Sequence, residues 1–192
     1  MPRRRVRPQG EVVERAVALR GELRAALDRL PSDEPEVGDA VWRGEALGTV
    51  LWALQLAELP PYDRPFDPGA VVEVDPAEGA LREAEEIRAE RESARLWHWR
   101  ARTTGVQAGG EIDLPARYAS FDQLIAATAM RGYEEGLLPP PLRGDFRAYG
   151  KVYRHLDPEQ AAEAHSLAVE RHHALNWLAG EGASWDDVPL DT

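Results

Sequence analysis

Glu170-Arg171-His172-His173, followed by Asn176 and Trp177, gathers most of the side chains that could do chemistry in this chain. Glu170 and His173 are spaced i, i+3, so one helix presents both to the same side, as helix-borne metal pairs do. His165 and His172 lie seven apart and share a neighbouring face. A two-metal carboxylate site needs a second Glu-x-x-His pair. The other histidine close to carboxylates is His98, and position 95 before it is arginine. A single zinc or iron ion could still be held by His165 and His172 with His98 and Glu90, if their two helices met. The plainer reading has these histidines at the edge of the core, bonded to backbone or carboxylates. No cofactor is expected on that reading.

Arg171 falls near the middle of the apolar arc formed by Ala164, Leu167, Ala168, Ala174, Leu175 and Leu178. A guanidinium facing a core needs partners, because burying it alone costs several kcal/mol. The expected arrangement is a clasp from Arg171 to Asp186 or Asp187, with Trp177 and Trp185 packing the tail down. Glu86 and Glu90 are the other candidate partners, and an anionic ligand is the functional alternative. In the helix around residue 90, Ala84, Ile87, Arg91, Ala94, His98 and Ala101 make a 3-4 stripe interrupted by two polar residues. If that stripe meets the last helix, a polar network or pocket floor results. His98 is then the candidate general base, with Glu90 orienting it and Arg171 nearby.

Other chemistry lacks its residues. None of the five serines sits in a Gly-x-Ser-x-Gly elbow, and no glycine-rich phosphate loop joins a strand to a helix. The chain has no cysteine, which excludes disulfides and thiolate sites and fits a reducing cytoplasm. No apolar run is long enough to span a bilayer.

The elements expected to position these residues are helical. Amphipathic spacing predicts helices over 11–30 and 40–59, the second apolar nearly all round and capped by Asp39. A third spans 77–103. Ser120 with Gln123 forms a capping box for a fourth, ending near Glu135. Asp157, Pro158 and Gln160 open the last, and Gly180 and Gly182 close it. Val71 to Val74 reads as a short extended piece, and the alternation over 146–153 as a hairpin arm. The fold class is all-α: an irregular bundle of about five helices, with long proline-rich loops and at most a short β-hairpin. Residues 1–10 read as a flexible basic arm and 11–192 as one domain.

Several segments also carry a family likeness. Glu-Arg-His-x-Ala-Leu-Asn-Trp-Leu over 170–178, then Trp-Asp-Asp-Val and a final Asp-Thr, resembles the end of the domain-of-unknown-function family 4272 (DUF4272). Val50-Leu51-Trp52-Ala53-Leu54 leading into Leu59-Pro60-Pro61, and Leu81-Arg82 through Leu96-Trp97-His98-Trp99, are similar to its middle. The likeness covers about 41–192 and is least over 105–155. It implies a bacterial, cytoplasmic helical domain, and no catalytic residue is carried over with it.

Charge narrows the partners. With 34 acidic and 23 basic residues the net charge is −11, and Arg3, Arg4, Arg5 and Arg7 all lie at the N-terminus. The body is therefore more acidic still, repelling nucleic acid and anionic lipid and attracting basic surfaces. Two function classes follow. One is a non-catalytic interaction or accessory protein, immunity-like, that covers a basic partner, with Trp42 and Trp99 as candidate anchors. The other is an enzyme or sensor built on Glu90, His98, Glu170, Arg171, His172 and His173. The first is the expectation.

Overall fold

A computed structural model describes residues 5–29, 37–109 and 114–191, with side chains described from 42 onward and up to 105 at the edges of the two gaps. Among them are six α-helices: α1 (Gln9–Leu27), α2 (Val37–Ala53), α3 (Pro68–Val71), α4 (Ala84–Gly109), α5 (Phe121–Glu134) and α6 (Pro158–Leu178). Strands β1 (Arg147–Ala148) and β2 (Lys151–Val152) form one antiparallel hairpin, with Ala148 opposite Lys151. The protein is mainly all-α. Helix α6 lies between α2 and α4, α1 covers α2, and α5 rests on α4. Being flanked twice explains why α6 buries nearly every residue from Arg171 to Leu178.

Local signals set several boundaries. Asp157 accepts from Gln160 N with Pro158 in the first turn, and Ser120 accepts from Gln123 N. Gly180, at a φ of 86°, carries the chain out of α6. Elsewhere packing overrides pattern. Helix α2 was expected to run to Leu59 but stops at Ala53, and Gln55 turns left-handed at a φ of 60°. Leu56 N reaches back to Leu51 O, and the passing segment supplies Ala80 N to Leu54 O and Arg82 N to Ala53 O. These donors satisfy the helix's last carbonyls before any proline is reached.

Val71 to Val74 is not extended. Asp67 caps Gly69 and Ala70, Pro68 fits the first turn, and the segment coils into α3. Pro76–Glu78 is a 3₁₀ turn capped by Asp75, so Ala77 and Glu78, expected to open the third helix, lie before it. Helix α4 begins at Ala84 and continues past Gly105 to Gly109. Asp39 lies within α2, which starts at Val37, and its side chain is outside the described residues.

Described residues near each terminus pack onto the body. Arg7, expected in a solvated arm, closes α6: its N donates to Leu178 O, its Nε to Trp177 O at 2.8 Å, and its Nη2 to Gly182 O at 3.0 Å. It also pairs with Glu11 and lies 4.7 Å from the Trp177 ring. Arg3 and Arg4 lie outside the described residues. At the other end Val188 is buried, and Asn176 Nδ2 holds Pro189 O at 2.9 Å.

Candidate functional site

Arg171 is fully buried where α6 faces α2 and the loop from Pro60 to Phe66. Its Nε donates to Glu45 Oε2 at 2.8 Å, Nη1 to Pro60 O at 2.6 Å, and Nη2 to Arg64 O at 2.8 Å. Tyr62 lies flat beneath the guanidinium at 4.8 Å. Glycine at position 48 makes this loop possible, because a Cβ there would sit 2.4 Å from the Phe66 ring. Burial pushes the Glu45 carboxyl above its ordinary value, against the pull of Arg171 and of Phe66 N–H.

The anticipated clasp of Arg171 to Asp186 or Asp187 does not form. Asp187 accepts from Ser184 at 2.7 Å and Asp186 faces Arg15. Glu86 pairs with Arg82, and Glu90 accepts from Tyr62. The carboxylate that wins lies 126 residues away, in the helix against which α6 packs. Trp185 does hold the tail, seated on Trp177 at 5.4 Å and on His173 at 4.8 Å, with the Arg15 guanidinium at 4.3 Å.

The stripe on α4 does face α6. His98 Nδ1 lies 3.0 Å from His172 Nδ1, His172 Nε2 lies 3.1 Å from Asn176 Nδ2, and Arg91 Nε donates to Asn176 Oδ1 at 2.6 Å. The tautomers follow. Arg91 is always a donor, so the Asn176 oxygen must face it and the amide nitrogen must donate to both Pro189 O and His172 Nε2. His172 then carries its proton on Nδ1 and gives it to His98 Nδ1, leaving the His98 proton on Nε2. Burial, then the neighbouring cations, lowers His98 to about 4 and His172 to about 3. Both rings stay neutral near pH 7. Both ring nitrogens of His172 are thus engaged, Nδ1 as donor to His98 and Nε2 as acceptor from Asn176.

Histidine-ring NMR should accordingly find His172 as the Nδ1–H form and His98 as the Nε2–H form, both without titration between about pH 5 and 8. The opposite pair of tautomers, or a step near 6.5, would break the chain.

The remaining sequence candidates scatter. His173 packs on Trp185, and burial lowers its pKa. Glu170 lines a cleft of about 300 Å³ with Arg15, Arg43, Trp42 and Trp185, and burial followed by the charge of Glu45 raises its carboxyl. The His165 ring is 6.0 Å from that of His98. Among the described residues, no group of three or more His, Asp or Glu side chains is placed to hold a metal ion. Glu90 does not orient His98. It lines a separate cleft of about 450 Å³ with Tyr62, Ser93 and Trp97, bonded to Tyr62 Oη at 2.9 Å.

One buried pair was not foreseen. Arg100 Nε and Nη2 donate to the two oxygens of Asp145 at 2.7 and 2.9 Å, with both side chains fully buried. Asp145 also accepts from Phe146 N and from Arg154, and so fastens the hairpin loop to α4.

Compared with known proteins, the chain matches no family model, no curated protein and no solved structure. Among the described residues no helix is long and apolar enough to cross a membrane.

Proposed function

We propose that the protein is a non-catalytic binding protein, accessory or immunity-like and cytoplasmic, whose acidic surface engages a partner with a basic face. The observation that carries this reading is how the reactive side chains are spent. Arg171, Arg100, His98 and His172 are all held in closed contacts, either charge-paired or neutral. Such groups serve stability and shape rather than turnover. Most carboxylates of the connection between α2 and α4 and of the first turns of α4 face solvent instead, Glu90 excepted. From Glu58 to Glu92 there are eleven acids against four arginines. Glu58, Glu78 and Glu83 are exposed and have no ion-pair partner among the described residues. A field of that sign steers basic partners during encounter. The likeness to DUF4272 is compatible with this role and adds no residue to it.

Capture from an extract of the source organism, followed by reconstitution with the purified partner, tests the reading. The partner is expected to be basic. Its association rate should fall roughly tenfold or more between low and high salt. A Glu78→Gln/Glu83→Gln/Glu86→Gln variant should associate more slowly at unchanged melting temperature. A partner without a basic face, or a rate indifferent to both salt and the variant, would overturn it.

A further inference from the structure

The geometry points to the cleft at Glu90 as the place where a cationic side chain of the partner, a guanidinium or an ammonium group, is received. This deepens the reading just given and rests on it for the identity of the ligand's source.

The argument begins with how this protein treats buried carboxylates. Glu45 has Arg171 and Asp145 has Arg100, each in direct contact. Glu90 is also largely removed from water, and burial pushes its carboxyl up. No cation among the described residues bonds to it. Its partners are the hydroxyls of Tyr62 and Ser93, which aim the carboxylate without neutralising it. The charge of Arg171 reaches Glu90 only from across the Tyr62 ring, and a desolvated carboxylate without a bonded counter-charge is costly, a cost that a ligand cation would offset.

The surroundings fit the same ligand. Glu58 and Asp63 line the cleft beside Glu90, and none of the three forms an ion pair among the described residues. Arg147 is the one cation lining it, on the exposed edge of β1, and it bonds to none of them. Arg171 lies across the Tyr62 ring, already paired with Glu45. The balance at the cleft is three carboxylates to one arginine. Trp52, Pro60 and Trp97 give the walls flat apolar surface, which suits the methylene stem of a long basic side chain and the face of its head group. Tyr62 stacks on Trp97 at 5.2 Å and 11°, so this floor is set before any ligand arrives. The Glu170 carboxyl is also raised by burial and has no ion-pair partner among the described residues, but its cleft already contains Arg15 and Arg43. The unmatched charge is at Glu90.

Three small probes decide it: N-acetyl-arginine amide, N-acetyl-lysine amide, and N-acetyl-citrulline amide as a neutral isostere of the first. Binding is read from the indole NMR signals of Trp52 and Trp97. Saturable shifts are expected with one or both cations and none with the citrulline compound. Glu90→Gln should weaken binding at least tenfold, the exposed substitution Glu58→Gln a few-fold, and Arg147→Ala should strengthen it. Glu58→Gln and Arg147→Ala touch no buried contact, so they report on binding even if Glu90→Gln loosens the fold. Equal binding of the citrulline compound, or indifference to all three substitutions, overturns the assignment. If a basic protein partner binds Glu58→Gln/Glu90→Gln as tightly as the native chain, the cleft is wrong and the acidic-surface reading stands. If the cationic probes bind as described while no basic protein does, the cleft stands and that reading falls.

Discussion

Arg171→Met is expected to lower the stability of the protein by about 3–5 kcal/mol, the usual cost of removing one member of a buried ion pair. For a chain of this length that is a fall of roughly 10 °C in melting temperature. Two losses add together. Glu45 is left as a buried carboxyl without its cation, and the carbonyls of Pro60, Pro61 and Arg64 lose the donors that replaced water. Arg171→Met/Glu45→Gln separates these contributions. The glutamine removes the stranded charge and can still accept from Phe66 N, so roughly half the stability should return. The remainder belongs to the loop carbonyls, because no methionine atom can donate to them. Asp186→Asn/Asp187→Asn should change stability by no more than about 0.5 kcal/mol, as surface substitutions do. Thermal and urea unfolding of these variants checks all of this. Equal losses in the Arg171 variant and the tail variant would restore the tail clasp and remove Glu45 from its role.

How far the sequence was legible depended on whether a signal was local. The start of α6 could be read because Asp157, Pro158 and Gln160 lie within four residues, and the α5 cap at Ser120 is equally compact. The α4 stripe was legible from its period, which placed Arg91 and His98 toward α6. The end of α2 was not, because its stop is supplied by Ala80 and Arg82, which no window around residue 54 contains. That Arg171 needs a carboxylate follows from its position on an apolar arc. Which carboxylate does not, although Glu45 gave a sign: it is the one charged residue between Gly44 and Gln55. Arg100 was not legible because α4 is buried on two sides, whereas its apolar period marks a single stripe. Arg7 looked like one more member of a basic terminus, since nothing in its neighbours shows that it closes a helix 170 residues later. Among the candidates for chemistry, residue types were readable and pairings were not.

Asp145→Asn is expected to cost at least about 3 kcal/mol, a large effect for a change of one atom. Arg100 supplies two donors to this carboxylate, Phe146 N a third and Arg154 two more, so five N–H groups converge on two oxygens. Asparagine keeps one oxygen and turns an amide donor toward guanidinium donors, which leaves Arg100 buried and half satisfied. The hairpin loop loses its hold on α4, so amide exchange should quicken first at Phe146 and Tyr153, ahead of α2 and α6. The acid response carries the same signature. Burial would raise the Asp145 carboxyl, but the hydrogen bonds and charge of Arg100 outweigh it and hold the group below its ordinary value. The unfolded chain therefore takes up this proton first, so the stabilisation is whole above about pH 4 and is lost as pH falls through the lower folded value. His98 and His172 act earlier in the descent. Their folded values of about 4 and 3 lie below the unfolded value near 6.5, so stability begins to decline as pH drops below that value. Native protein should thus lose stability progressively on acidification, the His98 and His172 share setting in below about pH 6.5 and the Asp145 share steepening the decline below about pH 4, and Asp145→Asn should make that lower part shallower. A variant whose decline below pH 4 is as steep as the native chain's, or that unfolds with α6 exchanging first, would show that Asp145 is not what ties the hairpin to α4.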